Sequence, residues 1–218
     1  MAGILFIISA PSGSGKSTLV SQLRTLVEGL DFSISYTTRD RRGSEQPGRE
    51  YFFTTREEFE RMVAAGDFLE WAEVFGNYYG TAVAALRHAK ELGKDLLLDI
   101  DVQGALQVMQ KMPQAVSIFI LPPSPQVLEQ RLKNRSAAEK MTDETVIQKR
   151  LAEAKNELKR VWDYKYALVN DVLENAVAEM RSIVLFERGD GECEALAKSC
   201  RTDAASPKLK AVLEAFGE

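Results

Sequence analysis

Residues 3–27 leave this chain little choice of local fold. "GILFIIS" (3–9) is a short apolar run rich in Ile, the mark of a buried strand. "SAPSGSGKST" (9–18) follows at once, and its Gly15, Lys16 and Ser17 complete the end of a phosphate-binding loop, G-x-x-x-x-G-K-[ST]. Leu19, Val20, Leu23, Leu26 and Val27 then recur at helical spacing. Strand, glycine loop and helix in that order make an anion cradle, with consecutive backbone N–H groups facing inward and a helix N-terminus behind them. Gly13 and Gly15 are free to take the positive φ that such a curl needs. Lys16 is placed to reach β- and γ-phosphates, and the Ser17 hydroxyl to bind Mg²⁺. Ala10 replaces the loop's first glycine, a position that mainly opens the turn, and Pro11 stiffens it. A Gly/Ser surface turn would use similar letters, but not between a buried strand and an amphipathic helix.

The remaining chain alternates strands and helices. "FSISYTTR" (32–39) alternates Phe32, Ile34 and Tyr36 as a strand, 40–50 is a charged loop, and "YFF" (51–53) is a brief strand. Thr55 with Glu58 forms a capping box. "FLEWAEVFGNYYGT" (68–81) carries aromatics around a hairpin turn signal at Gly76-Asn77, and 82–92 reads as a helix stopped by Gly93. Further strands are expected at 95–101, 115–123 and 166–170. The expected helices are 102–112, one from the Ser124-Pro125 cap through Arg135, 144–162 and 174–187. This pattern predicts an α/β fold, a mostly parallel sheet flanked by helices. The block from 32 to about 81 breaks the alternation and reads as an insertion carrying binding residues. The tail from Arg188 is polar, then weakly amphipathic at 206–216.

Charge and composition narrow the function. The 218 residues suit one domain with small inserted subdomains, and a net charge of −4 gives no nucleic-acid signal. No run of 18 apolar residues suggests a membrane span, and the N-terminus lacks a signal peptide's basic region, so a cytoplasmic protein is expected. Cys193 and Cys200 fit no zinc or redox spacing and read as reduced thiols. His88 is the sole histidine, so neither a His-based triad nor a His-rich metal site is supported.

A phosphate-loop protein can be a switch GTPase, a motor or a small-molecule kinase. The guanine-reading N-K-x-D segment of the first is missing, and a motor would be larger. A kinase needs arginines that neutralise charge during transfer, because catalysis there is mostly positioning and electrostatics. Arg39, Arg41 and Arg42 form one cluster, and Arg131, Arg135 and Arg150 flank the polar patch 136–143 as another. Asp99 at the end of an apolar strand is placed as an acid that organises Mg²⁺. An acceptor that is itself a phosphate is already ionised and needs no general base.

At this point the chain resembles the guanylate kinases, up to about residue 187. The motifs are "SAPSGSGKST", "SYTTRDRR", "GREYFF", "FLEWAEVFGNYYGT", "LLLDIDVQGA", "RLKNR", "IQKRL" and "VND", in that order. The resemblance implies transfer of a phosphoryl group from ATP to GMP, with dGMP as a second acceptor. Arg39, Arg42, Tyr51 and Tyr79 would hold the phosphate of GMP, and Ser35, Glu70, Thr81 and Asp101 would surround guanine. The loop residues Ala10, Pro11, Ser12, Gly13, Ser14, Gly15, Lys16, Ser17 and Thr18 would hold ATP phosphates, with Mg²⁺ at Ser17 and Asp99 and adenine near Asn170. Arg131, Arg135 and Arg150 would close over the transferring group. Guanine offers two adjacent donors that one carboxylate, Glu70, can accept. The implied layout is a core (1–31, 95–134, 144–187), a GMP-binding insertion (32–94), a lid (135–143) and an extension (188–218). Two features depart from the family: Arg41 stands where proline is usual, and 135–147 is longer. The rivals are a non-catalytic scaffold module of this fold, which the intact Lys16, Ser17 and Asp99 oppose, and a kinase for another monophosphate, which Glu70 opposes. No membrane or nucleic-acid partner is implied, and a monomer and a homo-oligomer both remain open.

Overall fold

The structure, a computed structural model, describes residues 3–138 and 144–217. In chain order the elements begin β1 (Leu5–Ser9), α1 (Lys16–Leu26), β2 (Leu30–Phe32), β3 (Tyr36–Thr37) and β4 (Phe52–Phe53). They continue α2 (Arg56–Ala65), β5 (Phe68–Val74), β6 (Asn77–Ala82), α3 (Val83–Glu91), β7 (Asp95–Asp99) and α4 (Val102–Lys111). The remainder is β8 (Val116–Leu121), α5 (Pro125–Ala138), α6 (Glu144–Leu158), β9 (Tyr166–Val169), α7 (Leu173–Glu187), α8 (Glu194–Ser199) and α9 (Pro207–Phe216), with 3₁₀ turns at Val161–Asp163 and Gly191–Cys193. The fold is α/β, a parallel sheet flanked by helices, as the alternation predicts. The chain folds as two compact units, residues 1–7 with 29–115 and residues 8–28 with 116–218, the division falling inside β1.

In the first unit the parallel sheet runs in the order β2-β7-β1. β2 pairs with β7 in parallel, Asp31 against Leu96. The sequence placed one strand over 32–39; instead the chain leaves β2 at Phe32, and Tyr36 and Thr37 join a second sheet. That sheet is ordered β4-β3-β6-β5, with Glu70 opposite Thr81 and Tyr79 opposite both Ala72 and Thr37. The β5–β6 turn is Phe75-Gly76, one residue earlier than expected. Both residues have positive φ, 50° and 78°, as a tight hairpin of native twist requires, and Phe75 accepts the strain. α2 is capped as predicted, the Thr55 hydroxyl accepting from the Glu58 N–H at 3.2 Å.

In the second unit β8 pairs with β9 in parallel, Phe119 against Ala167. β8 and β9 are buried along their whole length, matching apolar sequences that only Ser117 interrupts. Ser124 and Pro125 start α5 as expected, the Ser124 hydroxyl accepting from the Val127 N–H at 3.3 Å. α5 runs past Arg135 to Ala138, and residues 139–143, most of the expected lid, lie outside the described residues. α6 ends at Leu158, short of Trp162, because the chain tightens into the 3₁₀ turn at Val161–Asp163.

The tail is more ordered than its polarity suggests. Leu209, Leu213 and Phe216 of α9 and Ala197 of α8 are buried. The tail also covers β9 along its edge. Ala167 N–H donates to Cys200 O at 2.8 Å, Thr202 N–H to Lys165 O at 3.2 Å, and the Thr202 hydroxyl to Tyr164 O. Burial pushes the Cys200 thiol up to about 12, so it is an inert core group, and both cysteines are free.

Candidate active site

The second unit carries the phosphate loop. Gly13 and Gly15 take φ of 90° and 86°, and Ser14 N–H closes the turn onto Pro11 O at 3.1 Å. Gly15 is the N-cap of α1, and no side chain caps that helix, so its first amides face the loop as an anion site. A cavity of about 510 Å³ is lined by residues 10–18 with Arg131, Asn170, Asp171 and Leu173, a size suited to a nucleotide-scale ligand. Asn170 Nδ2 donates to Ser14 O at 2.8 Å, and Arg131 donates to Ser14 O and Asn170 O, both at 3.3 Å. A Cβ on Gly15 would overlap Asn170 Nδ2, and one on Gly13 would sit 3.0 Å from Leu128 Cδ1. The loop is therefore shaped by its own backbone and clamped by Asn170 and Arg131.

Of the other arginines expected here, Arg150 is buried on α6 at 7% exposure and is not among the described lining residues. The Arg135 side chain lies outside the described residues. Among the described residues no three carboxylates, cysteines or histidines gather as a metal site. Ser17, which lines the cavity at the start of α1, offers the hydroxyl oxygen that Mg²⁺ takes beside phosphate oxygens and water.

In the first unit the acceptor residues come from separate elements. Arg39, 9% exposed, donates to Glu45 Oε1 at 2.9 Å and to Asp40 O at 2.6 Å. Its guanidinium lies 5.3 Å from the centroid of the Tyr51 ring, and Tyr51 and Tyr79 meet edge to face at 5.8 Å. Burial opposes the Arg39 charge, but the Glu45 carboxylate and the Tyr79 hydroxyl more than offset it and hold its pKa above the ordinary value. Burial first, then the nearby Asp99 charge, pushes the Tyr51 phenol up to about 12, keeping it a neutral donor. Arg42 is exposed, its backbone N–H donating to Glu45 Oε2 at 2.8 Å. Arg41 donates from Nε and Nη2 to Glu45 O at 3.1 and 2.5 Å, tying the 41–45 turn where proline would stiffen it. Glu45 was not singled out by sequence reasoning, because nothing in a polar loop marks which acid folds back.

Glu70 is 2% exposed and Thr81, across the hairpin, is fully buried. Burial, with the Asp101 charge adding, pushes the Glu70 carboxyl up to about 7, against the pull of the Thr81 backbone N–H and the Lys111 charge. Asp101 caps α4, accepting from Gln103 N–H at 2.8 Å and Gly104 N–H at 3.1 Å. Ser35 is half-buried at the start of the second sheet, its carbonyl accepting from Phe52 N–H at 2.9 Å. Glu70, Thr81, Asp101 and Gly104 thus gather in one polar group, of which only Asp101 is partly exposed. Gly104 had no sequence signal of its own.

One unit carries a glycine loop opening a helix; the other carries a buried arginine against a phenol ring and a buried carboxylate, features of a phosphate-loop nucleotide-binding protein of the monophosphate kinase class. The guanylate kinase family model matches residues 3–187, so the chain belongs to the guanylate kinase family. It is 59% identical over 188 residues to a guanylate kinase of Koribacter versatilis, covering 86% of this chain and 80% of that one. It is 50% identical to one from Syntrophotalea carbinolica, covering 85% and 86%. The crystal structure of guanylate kinase from Anaplasma phagocytophilum superposes with a TM-score of 0.71 at 32% identity, over 94% of this chain and 97% of that one.

Proposed function

We propose that the chain is a guanylate kinase that moves the γ-phosphoryl group of Mg²⁺-bound ATP to GMP, giving ADP and GDP, with dGMP as a second acceptor. Such an enzyme recycles guanine nucleotides and supplies GTP precursors in the cytoplasm. The observation that carries the reading is Glu70, a carboxylate buried beside Thr81 and Asp101 in the same unit as the Arg39, Tyr51 and Tyr79 group. A carboxylate there accepts N1–H and N2–H₂ of guanine together, with Ser35, Thr81 and Asp101 around the base. Arg39 and Arg42 bind the acceptor phosphate, and Tyr51 and Tyr79 donate to it without adding charge. The insertion 32–94 is the acceptor-binding part and 135–143 the lid.

The loop amides and Lys16 hold the donor phosphates, with Asn170 near adenine. Lys16, Arg39, Arg131, Arg135 and Arg150 offset charge as it shifts between the phosphoryl oxygens. Ser17 and Asp99 would hold Mg²⁺, which would supply charge neutralisation on the donor phosphates. The acceptor is ionised from the start, which agrees with the sole histidine, His88, being exposed on α3. Nothing in the loop is degraded in the way a binding-only module would allow.

The test is coupled ADP release with GMP, dGMP, IMP and AMP. GMP should turn over, AMP should be worse by on the order of 10⁴-fold, and IMP should fall between. No turnover with GMP and Mg²⁺-ATP would overturn the reading.

A further inference from the structure

We infer that one face of α4, formed by Gly104, Gln107 and Lys111, positions the Glu70 carboxylate and thereby sets how tightly and selectively guanine is read. The inference rests on the reading of Glu70 as the guanine acceptor. β5 is the edge strand of its sheet, bonded to β6 on one side only. On the other side α4 takes the place of a neighbouring strand. Gln107 accepts from Trp71 N–H at 3.4 Å and donates from Nε2 to Trp71 O at 2.7 Å, and Lys111 Nζ donates to Leu69 O at 2.6 Å. The residues just before and just after Glu70 are therefore both tied to the helix. Positions 104, 107 and 111 share a helix face, so the same stripe reaches Glu70 itself.

At that point the stripe is bare. A Cβ on Gly104 would overlap Glu70 Oε2 and lie 3.0 Å from its Cδ and 3.6 Å from Asp101 Oδ2. Gly104 is inside a helix, where glycine costs stability relative to alanine and no positive φ demands it. Space for the carboxylate is the physical reason for a glycine here. The side chain cannot retreat cheaply, because it is buried and its strand is pinned on both sides. An added methyl would displace the acceptor oxygens from the plane of the guanine edge.

The experiment uses the full chain. In Gly104→Ala, KM for GMP should rise on the order of tenfold and the preference for GMP over IMP should fall on the same scale, while kcat and KM for ATP stay within about twofold. Gln107→Ala adds no volume and removes the latch at Trp71, so it should shift the same two readouts in the same direction. Glu70→Asp withdraws the carboxylate by one methylene, so Gly104→Ala should cost less in that background than in the wild type. Folded Gly104→Ala and Gln107→Ala proteins with unchanged KM and preference would overturn the inference. So would a lowered melting temperature with both KM values and kcat moving together, which marks a merely structural face. Glu70→Gln separates the two claims. If it leaves the GMP-to-IMP preference intact, the reading of Glu70 fails. If it abolishes the preference while the α4 variants do not, the inference alone fails.

Discussion

The two nucleotide-binding regions are built from different material. The loop of the second unit is a backbone device, with glycines at positive φ, helix amides without a capping side chain and carbonyls clamped by Asn170 and Arg131. The acceptor region of the first unit is a side-chain device, whose buried Arg39 and Glu70 and half-buried Tyr51 have displaced pKa values. Phosphates are alike in every nucleotide, so amides and a helix end suffice to hold them. A base must be told from its relatives by donors and acceptors in fixed places, and only side chains on a rigid sheet supply those. Substitutions in the two regions should therefore fail in different currencies: rate and ATP binding for the loop, acceptor choice and pH for the sheet.

The sharpest break should come at Lys16, the one loop residue whose side chain is given a charge-stabilising role. Lys16→Ala should lower kcat by about 10²–10³-fold, the scale of losing one preorganised contact to developing charge, with the fold unchanged by circular dichroism. Near-normal kcat would mean that the backbone alone carries the transfer.

Next in size is the pH response of the acceptor region. Glu70 must be ionised to accept guanine's donors, yet burial raises its carboxyl to about 7. The neutral form therefore competes with GMP, and kcat/KM for GMP should drop about tenfold per unit as pH falls below that value. The groups facing it are Asp101, which sustains the raised value, and Thr81 and Lys111, which oppose it. GMP's own phosphate titrates near ~6, so the control is Glu70→Gln, in which the step near 7 should vanish and the lower one remain. kcat/KM for ATP should not show the step. If it does, the titrating group is not specific to the acceptor.

The same contrast explains what could be read from the sequence. A backbone device has a compact signature: Gly13, Gly15, Lys16 and Ser17 lie within five residues between a strand and a helix, and the structure forms them as read. The acceptor residues Arg39, Tyr51, Glu70 and Tyr79 are spread over about forty residues, Glu70 and Tyr79 on β5 and β6 and the other two just outside β3 and β4, and only the resemblance to a family named them together. Glu45 and Gly104 were not legible, because their roles arise from contacts made when β5, α4 and the 40–50 loop fold. The split of 32–39 between two sheets was hidden because Phe32, Ile34 and Tyr36 alternate smoothly across it. The tail's burial was also missed: α9 sets Leu209, Val212, Leu213 and Phe216 on one buried face, whereas α8 buries only Ala197 and leaves Leu196 exposed.

Asn170 tests the loop's clamp rather than its charge. Its amide is buried and bonded to Ser14 O at 2.8 Å. Asn170→Ala leaves that carbonyl with Arg131 alone and opens space against Gly15. Loss of one buried hydrogen bond is worth about 1–2 kcal/mol, so kcat/KM for ATP should fall roughly tenfold while KM for GMP holds. A matching rise in KM for GMP would show that the two regions are not separable.

The smallest effect is expected where the tail touches a residue lining the donor cavity. Lys208 Nζ lies 3.1 and 3.0 Å from the two oxygens of Asp171, and Asp171 lines that cavity beside Asn170. Both side chains are substantially exposed, 43% and 36%, so water screens the pair and it contributes at most about 1 kcal/mol. α9 is held instead by Leu209, Leu213 and Phe216, each nearly inaccessible to solvent. Lys208→Ala should therefore move kcat and both KM values by less than about twofold, within the scale of a screened surface pair. Leu213→Ala should cost about 2–4 kcal/mol of stability through a buried cavity, again with little kinetic change in the folded fraction. Both outcomes follow if the loop is positioned by its own backbone and its clamp, with the tail only shielding β9. A several-fold rise in KM for ATP from Lys208→Ala alone would break that view, since a side-chain charge outside the loop would then be tuning a site that its amides were supposed to define.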